Sequence, residues 1–302
     1  MTMAEHATSE PLSAADPSVE PDNIVAFQGE PGAYSDMACR AVYPERRTMA
    51  CASFEDAFAA VRDGRAGLGM IPIENSNAGR VADIHHLLPQ GGLHIIGEHF
   101  QRVNHQLLAP KGASLETVKT VRSHVQALSQ CRRFLNATGL KPVIHADTAG
   151  AAAEVAAQGD PTQAAIASAL AAEIYDLQVL QSDLEDAEHN TTRFLIMARE
   201  PIDPDPAGPV VTTFVFRVRS VPAALYKALG GFATNGVNIT KLESYILDGG
   251  FTVAQFYADI EGHPDQVPVR LALEELSFFS REVKILGVYP ANGFRETAAK
   301  RG

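Results

Sequence analysis

The stretch PIDPDPAGP at positions 201–209, followed by VVTTFVFRVR at positions 210–219, divides the chain into two differently patterned parts. Four prolines and a glycine in 201–209 stiffen the backbone and remove hydrogen-bond donors, which predicts a linker. The segment that follows alternates and is rich in Val, Thr and Phe, which predicts a β-strand. We therefore expect a domain boundary within residues 201–209.

Before the linker, short apolar strand signals alternate with helical patterns. The strand signals lie at 23–27, 68–71, 143–145, 164–167 and 193–198, with extended segments within 95–108, and the helical signals lie at 53–62, 123–135, 149–157 and 168–175. Ser53 is placed to cap the first helix, with Asp56 three residues later. This alternation predicts an α/β domain with a largely parallel sheet over residues 23–200.

After the linker, the predicted elements over residues 210–290 follow the order βαββαβ. Strand patterns occupy 210–219, 237–247, 251–260 and 283–289, amphipathic helices begin near Pro222 and Val267, and a turn is expected at Asp248-Gly249-Gly250. That order is typical of a ferredoxin-like module, although the fold alone gives no function. Residues 291–302 are expected to form a tail.

Charge and composition exclude several classes of protein. The formal net charge of -11 argues against a non-specific nucleic-acid binder, which needs a basic surface. Residues 1–22 carry five acidic residues, no Lys or Arg and three prolines, so we expect a disordered acidic tail. No apolar run approaches the roughly 20 residues of a membrane helix, and no secretory signal is recognisable.

The cysteines and the absence of cofactor motifs in the sequence argue against disulfides, metal sites and bound cofactors. Cys39, Cys51 and Cys131 form no C-x-x-C pair, which suits free thiols in a reducing cytoplasm. Neither dinucleotide nor phosphate-loop motifs occur, and the adjacent His85 and His86 are interpreted as surface residues rather than metal ligands. We therefore predict a cytoplasmic protein with no metal, no organic cofactor and no membrane or nucleic-acid partner.

Polar segments at predicted strand ends are the remaining candidates for a site. They lie at 29–35, 72–79, 123–130, 147–152 and 190–194. Ligands of open α/β sheets bind beyond the carboxyl ends of strands, and hydroxyls, amides and one arginine suit a small carboxylate. Singly, each has a plainer interpretation: Ser123 and Thr148 as helix N-caps, Glu74 as a cap or partner of Arg80, and Arg193 as a structural ion-pair partner.

Together, these segments resemble prephenate dehydratases over about residues 24–290. The motifs that carry the resemblance are GEPGAYS (29–35), PIENSNAG (72–79), NHQLL (104–108), SHVQALSQ (123–130), DTAGAA (147–152) and NTTRF (190–194). Their order is the family's order, and one departure is Val125 where the family usually has proline. The resemblance implies a two-lobed catalytic domain similar to type II periplasmic binding proteins.

The resemblance also implies roles for individual residues. It implies Thr192 as the essential hydroxyl, with Glu74, Ser123 and Gln130 as further catalytic candidates. The implied substrate-binding residues are Asn75, Ser76, Arg193, Phe194, Thr148, Ala33 and Tyr34. The expected reaction converts prephenate to phenylpyruvate, losing water and carbon dioxide, in phenylalanine biosynthesis.

The C-terminal module resembles an ACT domain, which implies feedback regulation by L-phenylalanine and a homodimer or homotetramer. The implied effector-binding residues are Ala224, Leu225, Asn238, Glu243 and Ser244. After Glu243-Ser244 the family usually continues with Arg-Pro, whereas this chain has Tyr245-Ile246. That departure leaves open whether inhibition by phenylalanine is retained.

In the hypothetical mechanism, Thr192 donates a hydrogen bond to the departing hydroxyl, and Arg193 or nearby N–H groups hold a carboxylate. Glu74 is an alternative acid if burial raises its pKa. Two other functions stay open: arogenate dehydratase, and a small-acid-binding sensor without catalysis. A transcriptional regulator is disfavoured, because no helix-turn-helix segment is recognisable.

Overall fold

The computed structural model describes residues 20–81, 84–187, 189–219, 221–246 and 254–299. The elements before the linker are β1 (Ile24–Gln28), α1 (Tyr34–Val42), β2 (Arg47–Cys51), α2 (Phe54–Arg62), β3 (Leu68–Asn75), β4 (Gly79–Arg80), α3 (Leu87–Gln90), β5 (His94–Arg102), β6 (Gln106–Ala109), β7 (Thr120–His124), α4 (Val125–Gln130), α5 (Arg132–Thr138), β8 (Lys141–His145), α6 (Thr148–Gln158), β9 (Gln163–Ala167), α7 (Ala169–Ile174), β10 (Gln178–Gln181) and β11 (Thr191–Ala198). Those after it are β12 (Val210–Val218), α8 (Ala224–Thr234), β13 (Ile239–Ile246), β14 (Ala254–Glu261), α9 (Val267–Phe279), β15 (Ser280–Pro290) and α10 (Phe294–Ala299).

Two sheets form before the linker. The first has the order β2-β1-β3-β11-β5, with β4 paired to β3, and the second has the order β10-β6-β9-β7-β8. Strand β1 runs parallel to β2 and β3, and β7 runs parallel to β8 and β9, while β6 is antiparallel to β9 and β10. The predicted two-lobed α/β organisation with largely parallel pairing is therefore confirmed.

Local sequence explains where these elements begin. Residues 24–27 of β1 are buried, as expected for a short apolar run inside a sheet. Helix α2 begins after Ser53, whose hydroxyl accepts a hydrogen bond from the Asp56 N–H at 3.1 Å, so the predicted cap is confirmed.

The module after the linker is a four-stranded sheet with the order β13-β14-β12-β15 and antiparallel pairing. Helices α8 and α9 contribute Phe232, Ala228 and Leu276 to a core shared with Phe214 and Phe216 of β12. The rings of Phe214 and Phe232 stack with centroids 6.0 Å apart. The predicted ferredoxin-like fold is confirmed, and α9 has the predicted bounds.

Three predicted helix starts were wrong. Ser123 lies in β7, where its backbone pairs with Ile144, and the helix begins only after His124, whose Nδ1 accepts from the Gln126 N–H. Asp147 rather than Thr148 caps α6, since its Oδ1 accepts from the Gly150 N–H at 2.7 Å. Pro222 precedes the cap of α8 at Ala223 instead of occupying the first turn.

The predicted termini also need correction. Residues 294–299 form α10 rather than a tail, because the Arg295 guanidinium pairs with the buried Glu98 carboxylate. The last two residues of the expected N-terminal tail, Pro21 and Asp22, belong to a 3-10 helix over Pro21–Asn23, while residues 1–19 lie outside the described residues. Also outside them are residues 300–302 and 247–253, and with the latter the predicted turn at 248–250 and the start of the strand predicted from Phe251.

The chain separates into two compact units. One comprises the residues up to Arg80 together with Phe100–Phe194, and the other comprises Val81–His99 together with the residues from Leu195 onward. The division falls within strands β5 and β11. Of the helices in the described part of the chain, none combines the length and hydropathy needed to cross a bilayer.

Candidate active site

A tight hairpin at the end of β3 fixes the orientation of the Asn75 carboxamide. Asn75 pairs with Gly79, which adopts a φ of 79° that favours glycine. The Asn75 Oδ1 accepts the backbone N–H groups of Asn77 at 2.9 Å and of Ala78 at 2.8 Å. Since the backbone can only donate here, Oδ1 faces the turn and Nδ2 must face away from it.

From Asn75, a chain of amides runs across the site. Its Nδ2 donates to the Asn190 Oδ1 at 2.8 Å and to the Thr192 Oγ1 at 3.0 Å. The Nδ2 of Asn190 then donates to the Gln130 Oε1 at 2.9 Å. The orientation of each amide follows from the previous one, so the Gln130 Oε1 is fixed as an acceptor.

His105 continues the chain on the far side of Gln130. Its Nε2 lies 2.8 Å from the Gln130 Oε1, and because that oxygen can only accept, Nε2 must carry the hydrogen. The Nδ1 lies 2.9 Å from the Tyr34 hydroxyl, which is also 2.8 Å from the Asn104 carbonyl oxygen. Residues of α1, β3, α4 and β11 thus meet with His105 in one hydrogen-bonded chain.

The groups of this chain are electrically neutral. Burial lowers the pKa of His105, although the Gln130 hydrogen bond and the nearby Glu185 act in the opposite direction. Burial raises the pKa of Tyr34 well above its ordinary value, and Cys131 and Glu185 add to that shift. Imidazole and phenol therefore serve as neutral hydrogen-bonding groups at neutral pH.

Two donors of the chain point away from it. Thr192 accepts from Asn75 through Oγ1, and its own hydroxyl hydrogen meets no acceptor among the residues that the structure describes. Gln130 likewise uses only Oε1, and its Nε2 donates to no described residue. Both side chains are half-buried. A hydroxyl and an amide N–H are thus available to a ligand with oxygen acceptors.

Glu74 and Arg193 form an ion pair beside this chain. The Arg193 guanidinium donates to the Glu74 Oε1 at 3.1 Å, and the arginine side chain is only 3% exposed. The structure favours the ion-pair interpretation of Arg193 over a cation presented to a ligand. Glu74 retains 35% exposure, so its carboxylate is reachable from solvent.

Several predicted site residues have structural contacts instead. Ser123 is fully buried, and its hydroxyl donates to the Ile166 carbonyl at 2.6 Å, joining β7 to β9. Phe194 is a core side chain at 1% exposure. The Ser76 hydroxyl donates to the His189 carbonyl at 2.5 Å and accepts from the Thr191 N–H at 3.0 Å, which anchors the start of β11.

The other two predicted substrate-binding positions lie at helix starts. Ala33 is buried and precedes α1, where it has no capping side chain. Thr148 is the first residue of α6 and is half-buried. The hydrogen-bonded chain brings together four of the predicted site residues: Tyr34, Asn75, Gln130 and Thr192.

The structure does not direct the predicted effector residues toward one place. Neighbouring residues of a strand point to opposite faces, so Glu243 and Ser244 of β13 diverge. Glu243 contacts the Lys241 ammonium at 2.5 Å, and Asn238 donates to Glu261. Ala224 is buried, and Leu225 packs against the core of the module.

His85 is not the surface residue that its sequence context suggested. It is 3% exposed, and its Nε2 lies 3.1 Å from the Glu243 Oε2, within ion-pair distance but outside hydrogen-bond alignment. Its ring lies 5.6 Å from that of Tyr245 and 5.5 Å from that of Tyr257. Tyr245, the departure from the family pattern, thus shares a face with Glu243 and contacts His85.

Two members of the hydrogen-bonded chain, His105 and Asn190, were not among the predicted site residues. Both stand in motifs quoted above, and the available signal was the polar pair His105-Gln106 directly before the buried Leu107 and Leu108. Across the described ranges, no group of three or more His, Cys, Asp or Glu side chains is arranged to hold a metal.

Comparisons with known proteins agree on one family. The prephenate dehydratase family model matches residues 25–202. A Komagataeibacter europaeus protein described as a bifunctional N-acyl-homoserine lactone acylase/prephenate dehydratase is 54% identical over 275 residues, covering 91% of this chain and 98% of its own. An Arabidopsis thaliana arogenate dehydratase/prephenate dehydratase is 39% identical over 280 residues, covering 88% of this chain and 71% of its own. The structure of prephenate dehydratase from Arthrobacter aurescens in complex with L-Phe superposes with a TM-score of 0.82 at 28% identity, covering 92% of this chain and 97% of that one.

Proposed function

Because the chain belongs to the prephenate dehydratase family of hydro-lyases, we propose that it converts prephenate to phenylpyruvate, water and carbon dioxide in phenylalanine biosynthesis. The observation that carries the proposal is the pair of outward donors, the Thr192 hydroxyl and the Gln130 carboxamide. Both are oriented by the same chain of amides.

The proposed reaction is an elimination that makes the ring aromatic. The bond between the ring and its carboxylate breaks, carbon dioxide leaves, and the electron pair enters the ring. The bond from the opposite ring carbon to its hydroxyl oxygen breaks, and this oxygen leaves as water after gaining one proton from the solvent. Thr192 donates a hydrogen bond to that oxygen as negative charge develops on it, where a positioned donor contributes most.

Glu74 is less suited than Thr192 to assist the leaving group. The Arg193 guanidinium already engages the Glu74 carboxylate at 3.1 Å, whereas the hydroxyl hydrogen of Thr192 meets no acceptor among the described residues. Since Arg193 is buried in the pair, we assign the binding of a substrate carboxylate to backbone N–H groups rather than to Arg193.

The test is turnover of prephenate by the purified protein at neutral pH, followed as phenylpyruvate formation. Thr192→Val keeps the shape but removes the donor, and it is expected to lower kcat about 10²–10³-fold, as for loss of a transition-state hydrogen bond. Thr192→Ser restores the hydroxyl and is expected to recover most activity. The neighbouring Thr191→Val is the matched control.

Either of two results would contradict the assignment. Near-full turnover by Thr192→Val would remove Thr192 from the mechanism. Wild-type product formation no faster than the spontaneous reaction would remove prephenate as the substrate and would favour a sensor that binds a small acid without converting it.

Arogenate is the alternative substrate of the same elimination. The Arabidopsis relative is described by both activities, which favours testing both. Prephenate has a keto group where arogenate has an ammonium group. Both groups are remote from the bonds that break. Competition between equimolar substrates, measured by the ratio of kcat/KM values, decides between them.

A second activity is suggested by the relative with 54% identity, which is described as an acylase as well as a prephenate dehydratase. We propose testing hydrolysis of an N-acyl-homoserine lactone by measuring the release of free homoserine lactone. If Thr192→Val abolished both reactions, they would share the site. Loss of dehydration alone would place the hydrolysis elsewhere.

We also propose that the ferredoxin-like module is an ACT domain that binds L-phenylalanine, and that the protein is a homodimer or homotetramer. The Arthrobacter relative was crystallised with L-Phe, which supports the effector class. Tyr245 points away from Ser244 toward His85, whereas Ile246, the second residue of the departure from the family pattern, lies on the same face of β13 as Ser244. Calorimetric titration with L-phenylalanine and light scattering of the eluted protein test these two points.

A further inference from the structure

The hydrogen-bonded chain does not end at Gln130, and its far end has no role in the reaction proposed above. His105 and Tyr34 are separated from Thr192 by three amide side chains. His105 is 2% exposed, too buried to meet a substrate. Its ring nevertheless donates to the same Gln130 oxygen that receives the Asn190 amide.

We propose that His105, held as the neutral Nε2–H tautomer, is a positioning residue that orients the Gln130 carboxamide toward the substrate. This inference rests on the proposed function. Two donors, the Asn190 Nδ2 and the His105 Nε2, converge on the Gln130 Oε1. With the oxygen occupied from both sides, the Gln130 Nε2 is directed away from the chain, and rotation of the amide would place donors against donors.

The tautomer of His105 is fixed at Nε2, and the contact at Nδ1 is compatible with it. At Nε2, the neighbouring oxygen can only accept, which requires an N–H. At Nδ1, the Tyr34 hydroxyl is 2.9 Å away, and its hydrogen can reach both Nδ1 and the Asn104 carbonyl. A lone pair on Nδ1 suits that hydrogen, and burial keeps the ring neutral.

The loop after β10 holds the backbone of His105 in place. The His105 N–H donates to the Glu185 Oε2 at 2.9 Å, and Asn104 donates through Nδ2 to Glu185 and to Asp183. The ring also makes an edge contact with Tyr34, with centroids 5.6 Å apart. The imidazole is therefore fixed in direction, as a positioning group must be.

Three substitutions of His105 distinguish the effect of its Nε2–H donor from the effect of ring packing. His105→Gln retains an N–H near the position of Nε2, His105→Asn places its amide nearer to Nδ1, and His105→Phe keeps the ring without a donor. We expect Gln to keep most of kcat and Asn and Phe to lose about tenfold, the factor that one hydrogen bond of ordinary strength supports. The KM should stay near that of wild type, and exposed His86→Asn is the matched control.

The decisive experiment combines His105→Phe with Gln130→Ala in one protein. If His105 acts through Gln130, adding His105→Phe to Gln130→Ala has no further effect on kcat. An equal loss from His105→Phe with and without Gln130→Ala would overturn the proposal, as would activities that follow side-chain volume with Phe above Gln.

A spectroscopic arm does not depend on turnover. Imidazole ¹⁵N shifts of wild-type protein are expected to show a protonated Nε2 and an unprotonated Nδ1 for His105, with this preference reduced in Gln130→Ala. The opposite tautomer would overturn the proposal even if every His105 variant failed to fold. If wild type did not convert prephenate, this arm would still test the orientation of Gln130, so the two failures are distinguishable.

Discussion

At the scale of single residues, two backbone N–H groups determine which way four side chains face. The N–H groups of Asn77 and Ala78 fix the Asn75 amide, and the direction passes through Asn190 to Gln130 and His105. Amides are nearly symmetric in shape, so only such a one-sided donor can define their orientation. The outward donors at Thr192 and Gln130 follow from that choice.

Ser123 belongs to the same scale, and we expect it to stabilise the fold rather than to act on substrate. Ser123→Ala removes a fully buried donor to the Ile166 carbonyl, which should lower the free energy of unfolding by about 1–3 kcal/mol. The kcat for prephenate should change little. Urea denaturation and steady-state kinetics measure the two effects, with exposed Ser129→Ala as control. A large fall in kcat at unchanged stability would return Ser123 to the site.

At the scale of elements, strand β13 distributes its residues to two faces. Lys241, Glu243 and Tyr245 share the face that meets His85, whereas Ser244 belongs to the opposite face. A motif that is continuous in sequence therefore serves two surfaces. An effector on one face and a structural cluster on the other are compatible within the same strand.

The charge cluster around Glu243 should appear in the acid stability of the protein. Desolvation alone would raise the pKa of Glu243, but His85 and Lys241 outweigh it and lower the pKa to about 2 from 4.5. The resulting stabilisation is complete above pH 4.5 and is lost as the pH falls toward 2. Glu243→Gln should therefore flatten the dependence of unfolding free energy on pH in that window. Exposed Glu274→Gln should not, and equal curves for wild type and Glu243→Gln would contradict this prediction.

The residue that precedes α8, its N-cap Ala223, has a strained backbone. Ala223 adopts a φ of 59°, a left-handed conformation that costs a residue with a Cβ about 1–2 kcal/mol. Ala223→Gly should remove that strain from the folded state. Glycine also gives the unfolded chain more conformational freedom, which lowers the stability by about 0.5–1 kcal/mol. We expect a net gain below about 1 kcal/mol in chemical denaturation. Ala228→Gly, in the buried interior of the same helix, should destabilise, and a loss at both positions would argue against strain at Ala223.

At the scale of the whole molecule, the segment after β15 holds a buried charge in place. The Glu98 carboxylate has no exposed side-chain surface and meets the Arg295 guanidinium at 2.6 and 2.9 Å, and the Asn292 N–H also donates to it. The buried Asp259 lies 3.9 Å from the same guanidinium. The segment after β15 is thus part of the folded unit.

Arg295→Met should destabilise the protein strongly, because it removes the cation that faces two buried carboxylates. Breaking a buried pair costs about 3–5 kcal/mol, measurable as a lower midpoint of urea unfolding. The exposed Arg270→Met on α9 should stay within about 0.5 kcal/mol of wild type. A loss below about 1 kcal/mol for Arg295→Met would mean that solvent replaces the arginine.

The domain division at residues 201–209 stays a prediction, since the two compact units of the structure divide at other positions. The local sequence did predict the βαββαβ order, the cap at Ser53 and the motifs of the family, because periodicity, turn chemistry and capping act between near neighbours. It did not determine what the side chains touch. Asn75 and Asn190 are 115 positions apart, yet they share a hydrogen bond. Tertiary structure decided that Ser123 and Phe194 are internal, that Arg193 is paired, that His85 is buried and that His105 completes the amide chain. Such pairings depend on how distant strands pack, and no local pattern encodes that.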